Sequence, residues 1–189
     1  MFLYSMELDK AIQSRKSTRR FNDKKPDWRT IIECIDSARY APMAGNNYTL
    51  KFILVDDGEK IRKISDACQQ EFVSHVKYVL VVCSNPSRTI NAYEKKGETF
   101  CRQQAGAAIQ NVLLKIEEAG LATCWVGYFV EEQIKKELNI PEDTHIEAVL
   151  PIGYAYEKPR TRHAKIDLDR ILFFNRYGTK KMKSPKRVY

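Results

Sequence analysis

The chain has 189 residues, of which 43% are hydrophobic, and carries a formal net charge of +8. That length suits one domain with a substantial core and leaves little room for a second. No apolar run approaches the roughly 18 residues that span a bilayer, and Met1–Glu7 lacks a basic stretch followed by a long apolar one, so no membrane partner, no secretory leader and a cytoplasmic location are expected.

In chain order, Ser5–Arg15 reads as a short helix with Ser5 as N-cap and Leu8, Ala11 and Ile12 on one face. The basic run Arg15–Arg20 and then Phe21 follow. A second helix starts after Pro26 with Asp27 as its cap. Its stripe is Trp28, Ile31, Ile32, Ile35 and Ala38, and Pro42 ends it. Lys51–Asp56 reads as a strand closed by Asp57-Gly58, with a helix next from about Glu59 to Phe72. Lys77–Ser84 is a continuous β-prone apolar run, the mark of a strand covered on both faces. Ser87–Glu98 shows no clear period and reads as a mobile loop or a short helix.

The best helix is Thr99–Ala119, where Ala105, Ala108, Ile109, Val112, Leu113 and Ile116 recur at helical steps. Gly120 sits where a left-handed cap is wanted. The small residues Ala105–Ala108 suit a close backbone contact, either at a subunit interface or within the chain. Ala122–Phe129 and Glu147–Gly153 read as strands, and Val130–Leu138 and Asp167–Phe174 as helices. The order is that of an α+β domain around a central sheet, spanning 1–178, with a basic tail at 179–189.

Several chemistries find no motif. There is no G-x-G-x-x-G, no P-loop, no G-x-S-x-G and no H-E-x-x-H. His75, His145 and His163 have no partners at metal-ligand spacing, so no metal is expected. Cys34, Cys68, Cys83, Cys101 and Cys124 stand singly, without a C-x-x-C pair, and read as small buried hydrophobes rather than a disulfide framework.

Two basic clusters remain. Arg15-Lys16-Ser17-Thr18-Arg19-Arg20 packs four cations and two hydroxyls together. In an extended chain alternate residues point the same way, so Arg15, Ser17 and Arg19 can face one anionic ligand, with guanidinium groups gripping a phosphate. Arg160-Thr161-Arg162 repeats the Arg-x-Arg pattern. The alternative is two solvated basic faces. A nucleic-acid partner would need these clusters along one open face, and no nucleic acid is expected. The loop Ala41-Pro42-Met43-Ala44-Gly45-Asn46-Asn47 offers small residues and two amides, either as an ordinary turn or as a surface for a planar heterocycle.

Taken in order, these pieces resemble the FMN-dependent nitroreductase family over nearly the whole chain. Arg15–Phe21 is similar to its R-R-S-x-R-x-F motif, and Ala41–Asn46 to A-P-S-x-x-N. Ala107–Leu114 matches A-A-I-Q-N-x-L-L, and Gly120–Trp125 matches G-L-x-x-x-W. Pro151-Ile152-Gly153-Tyr154 with Arg160 and Arg162 closes the series. The resemblance implies a mostly antiparallel sheet flanked by helices in an intertwined homodimer, with FMN at the subunit interface. It implies phosphate contacts from Arg15, Lys16, Ser17, Arg19, Arg160 and Arg162, and a loop with Pro42, Met43 and Asn46 contributed by the partner subunit. Trp125, Gly127 and Tyr128 would run beside the flavin ring. NADH or NADPH would be the electron donor, and a nitroaromatic, a quinone or another small molecule the acceptor, with Ser87–Glu98 selecting it. Dehalogenases and flavin-fragmenting enzymes are the neighbouring branches, and a flavin-binding protein without efficient turnover is a further reading. Three positions depart from the pattern: Met43 replaces the usual serine, Tyr48-Thr49-Leu50 replaces Q-P-W or Q-P-R, and Gln104 stands where many relatives carry Asp.

Overall fold

The sheet is built around two strands that the sequence marks as apolar throughout. In a computed structural model that describes residues 7–156 and 166–182, the strands are β1 (Leu50–Val55), β2 (Tyr78–Ser84), β3 (Ala122–Thr123) and β4 (His145–Gly153). They lie in the order β1-β2-β4-β3, with every ladder antiparallel. All seven residues of β2 are buried, because helices cover both faces of the sheet.

Alternation along β2 divides the core in two. Leu80 and Val82 face one apolar cluster with Ile31, Ala105, Ile109, Val112 and Ile116. Val79, Val81 and Cys83 face the other, with Ile61, Ile64, Cys68, Val73 and Ile134. A fully buried side chain of this size contributes about 1.5–3 kcal/mol, so these two faces supply most of the fold's stability. The β2–β4 ladder slips between Val82 and Cys83. The bulge lets Ile146 and Val149, at odd spacing, both serve the second cluster.

The helices of the first cluster are α2 (Trp28–Asp36) and α5 (Lys95–Glu118), and those of the second are α3 (Gly58–Cys68) and α6 (Glu131–Leu138). Asp27 caps α2 by accepting from the Arg29 N–H at 2.9 Å, as its position predicts. Asp57 belongs to the next helix rather than to the preceding strand: its carboxylate accepts from the N–H groups of Glu59 and Lys60. The short α1 (Leu8–Ser14) precedes the basic run, and α4 (Ser87–Tyr93) fills the segment whose period was unclear.

Three expectations change. In α1, Ala11 is buried, but Leu8 and Ile12 are 66% and 51% exposed, so the predicted face is not covered within the described chain. Trp28 and Ile32 of α2 are also exposed, and only Ile31, Ile35 and Ala38 of its stripe turn inward. The strand expected at Ala122–Phe129 is two residues long plus a single bridge from Val126 to Val149 in the same register. Between them Trp125 turns outward, which interrupts the ladder without shifting it.

The chain divides into two compact units, Met1–Pro159 and Arg160–Tyr189. The second holds a short helix α7 (Leu168–Ile171) and a turn in which Phe173 packs on Tyr177 with ring centroids 4.7 Å apart. No helix among the described residues is long and apolar enough to cross a membrane.

Candidate functional site

The basic run leaves α1 as extended chain and lies beside β3. Ser17 bridges to Thr123 in parallel, and the Thr18 N–H donates to the Thr123 carbonyl at 2.8 Å. Extended backbone sends alternate side chains to opposite sides. Thr18 accordingly is buried, while Ser17 and Arg19 are exposed. The arrangement is reported by one group. Burial pushes the Cys124 thiol above its ordinary range, and Arg19, a hydrogen bond from Ser17 and Arg15 act on the same thiol in the opposite direction. Arg15, Ser17 and Arg19 therefore all lie in the neighbourhood of Cys124.

Further along, the run is locked to the end of β4. Phe21 bridges to Ala155, the Asn22 N–H donates to the Tyr154 carbonyl, and the Tyr156 N–H donates to the Arg20 carbonyl. Arg20 stacks on Tyr156 at 5.3 Å, whereas Arg19 turns to the other side, 6.0 Å over the Phe72 ring. The Thr123 hydroxyl, beside this run, is buried without a hydrogen-bond partner. Buried polar atoms of that kind are few in folded proteins and call for a reason.

The loop after α2 contains a sharp turn. Gly45 and Asn46 are both left-handed, with φ of 56° and 57°. Glycine suits the first of these because the backbone is left-handed, and an added Cβ would stand 2.5 Å from Tyr93 Oη, which would have to shift. Downstream, the loop is tied to α5. Gln104 is buried, and its Oε1 accepts from the Thr49 N–H at 3.0 Å and the Thr49 hydroxyl at 2.6 Å. Its Nε2 donates to the Asn47 carbonyl at 3.5 Å, and the Cys101 thiol donates to Thr49 Oγ1 at 3.1 Å. Met43 is half-buried, and Pro42 and Asn46 are exposed.

After Cys124 the chain presents Trp125, Gly127 and Tyr128 to solvent, while Val126 is buried beneath them. These exposed aromatics continue from the segment beside which the basic run lies. Cations, a hydroxyl and flat apolar rings thus follow one another along a short path. Such a surface suits a ligand with an anionic end and a planar end.

A model of the nitroreductase family matches residues 12–77 and 68–154. The chain belongs to the nitroreductase family. Among relatives of this nitroreductase-family chain, a Methanothermobacter thermautotrophicus protein provisionally named an NADH dehydrogenase/NAD(P)H nitroreductase is 30% identical over 171 residues, covering 88% of this chain and 86% of that protein. An iodotyrosine deiodinase from Thermotoga neapolitana is 24% identical over 171 residues, covering 81% and 90%. The crystal structure of an FMN-dependent nitroreductase from Clostridium difficile R20291 superposes with a TM-score of 0.75 at 23% identity, covering 88% of this chain and 98% of that one, and it shows the shared fold.

Of the positions singled out in the sequence, Arg15, Ser17 and Arg19 lie in the neighbourhood of Cys124, and Lys16 is half-buried among them in the chain. Trp125, Gly127 and Tyr128 share the exposed path that follows. Arg160 and Arg162 lie outside the described residues. Cys124, expected to be a small buried hydrophobe, is buried, and it, Thr123 and Phe72 neighbour the basic run only after folding. The alternation Arg-x-Ser-x-Arg held part of that signal, since it marks the face but not what the face meets.

Proposed function

We propose that this nitroreductase-family oxidoreductase is an FMN-dependent enzyme working as a homodimer. It takes reducing equivalents from NADH or NADPH and passes them to a nitroaromatic, a quinone or a similar small acceptor. The observation that supports it best is the pairing of the basic run with β3, which sets the exposed Ser17 and Arg19 beside the buried, unpartnered Thr123 hydroxyl. Two guanidinium groups and a hydroxyl are the donor set a phosphate monoester needs.

In this reading Arg15, Lys16, Ser17 and Arg19 hold the FMN phosphate, joined by Arg160 and Arg162. Trp125, Gly127 and Tyr128 border the ring, and Pro42, Met43 and Asn46 reach it from the partner subunit. Bound FMN would supply two-electron chemistry at N5, receiving hydride from the nicotinamide and reducing the acceptor. The protein's own share is orientation and electrostatics. The cations fix one end of the ligand, and Trp125 and Tyr128 give its flat end an apolar wall that limits water.

The decisive measurement is the visible spectrum of the purified protein. A yellow protein is expected that sediments at twice the chain mass, releases FMN on denaturation, and oxidises NADH or NADPH when a quinone or nitro compound is added. A colourless protein that takes up no added FMN would overturn the reading. The likeness to an iodotyrosine deiodinase favours a second reading, reductive dehalogenation at the same site. Halide release from a halotyrosine, with no turnover of quinones, would select it.

A further inference from the structure

The turn at Gly45–Asn46 is held by two helices that carry none of the proposed flavin contacts. Gly45 and Asn46, both residues that enter the left-handed region readily, take it in succession where their surroundings hold the loop. Here they do so from two sides. From α5, Gln104 engages the Thr49 N–H, the Thr49 hydroxyl and the Asn47 carbonyl at once, so a single side chain satisfies three polar groups of the loop. From the end of α4, Tyr93 lies against Gly45 and is braced by Phe100, edge to face with centroids 5.2 Å apart. The support is itself rigid. Gly97 on α5 crosses so close to Thr89 of α4 that no Cβ fits between them, and Glu94 at the elbow sits at φ 51°, ψ −133°.

We propose that Gln104 and Tyr93 are positioning residues: together they hold the Gly45–Asn46 turn in its left-handed form and so set how the loop meets the flavin. The proposal rests on the reading of Pro42, Met43 and Asn46 as flavin contacts. Gln104 suits the task because a neutral amide both accepts from Thr49 and donates to Asn47, whereas a carboxylate can only accept. The α4–α5 elbow thereby acts on the flavin through the loop, without touching it.

The test compares Gln104→Leu, Gln104→Glu and Tyr93→Ala with the unaltered protein. Tyr93 is partly exposed, so its replacement leaves a folded chain even where Gln104→Leu does not. Amide exchange over residues 45–49, measured without FMN, is expected to rise in Gln104→Leu and Tyr93→Ala. With FMN added, the visible flavin bands should shift, and kcat should fall about five- to tenfold, the effect of one lost buried hydrogen bond, with a smaller change in KM. Gln104→Glu adds a signature that a packing role would not produce. Its carboxyl, with its pKa raised by burial, donates to Asn47 when protonated and cannot when ionised. This variant should match the unaltered protein at low pH and fall between it and Gln104→Leu at high pH, where the carboxylate still accepts from Thr49 but no longer donates to Asn47. Unchanged exchange over 45–49, or an unchanged flavin spectrum and kcat in folded variants, would overturn the proposal. Failure of the unaltered protein to take up FMN is seen before any variant is made, and it sinks the flavin reading instead.

Discussion

Arg15, Ser17 and Arg19 occupy alternate positions in extended backbone, and their common side is a property of that backbone rather than of their charge. Arg19 is exposed and lies over the Phe72 ring, so its guanidinium is available to an anion at little structural cost. Replacing Arg19 by Ala should leave the melting temperature unchanged and weaken FMN binding about tenfold to 100-fold, the loss of a charge-assisted hydrogen bond. Quenching of FMN fluorescence on titration measures it. Arg19→Lys should recover part of the affinity, because a point charge lacks the bidentate fork. An Arg19→Ala protein that binds FMN as well as the parent would remove this residue from the phosphate grip.

At the scale of elements, the small residues Ala105–Ala108 of the long helix were expected to suit a close backbone contact, at a subunit interface or within the chain. Ala105 and Ala108 do pack into the first core cluster, yet a Cβ on Gly106 would meet nothing within 4 Å. Within the described chain the close approach is instead one turn inside the N-terminal end of α5, at Gly97, against the Thr89 backbone. Helix α5 begins there because α4 turns back on it through the Glu94 elbow, a feature without periodicity. Gly97→Ala should therefore destabilise the fold by about 1–3 kcal/mol, since the neighbour is backbone and cannot move aside as a side chain would. Thermal melts compare it with Gly106→Ala, which should be neutral or slightly stabilising from helix propensity.

The whole molecule buries its thiols on both sides of the sheet. Burial pushes Cys34 and Cys83 up to about 11 and Cys68 up to about 12, from an ordinary 9.0. Between pH 9 and 12 the unfolded chain releases these protons before the folded one does. The folded state then binds more protons, so stability falls as pH rises. Below pH 9 the contribution is fully present. The urea midpoint of the reduced protein should hold steady near pH 8 and drop as pH passes 9, and a Cys68→Ala variant should show a smaller drop. The direction matters: depressed thiol pKa values would produce the opposite slope.

Elements whose cause is local or periodic are legible in the amino-acid order alone. Asp27 caps α2 through its own neighbour's N–H, β2 is apolar at every position because both its faces are covered, and the motifs from Arg15 to Tyr154 identify the family. The amino-acid order marked the alternating side of the basic run for the same reason. What it left open depends on partners distant in the chain. An apolar stripe on α1 states that Leu8 and Ile12 share a face, but not that the face lies uncovered within the described chain. Nothing in Ala122–Phe129 shows that Trp125 turns outward between two in-register pairings. The meeting of Ser17 with Thr123, of Gln104 with Thr49, and of Tyr93 with Gly45 was decided only by the tertiary structure. Each joins segments dozens of residues apart, and periodicity carries no information about which remote face a side chain will meet.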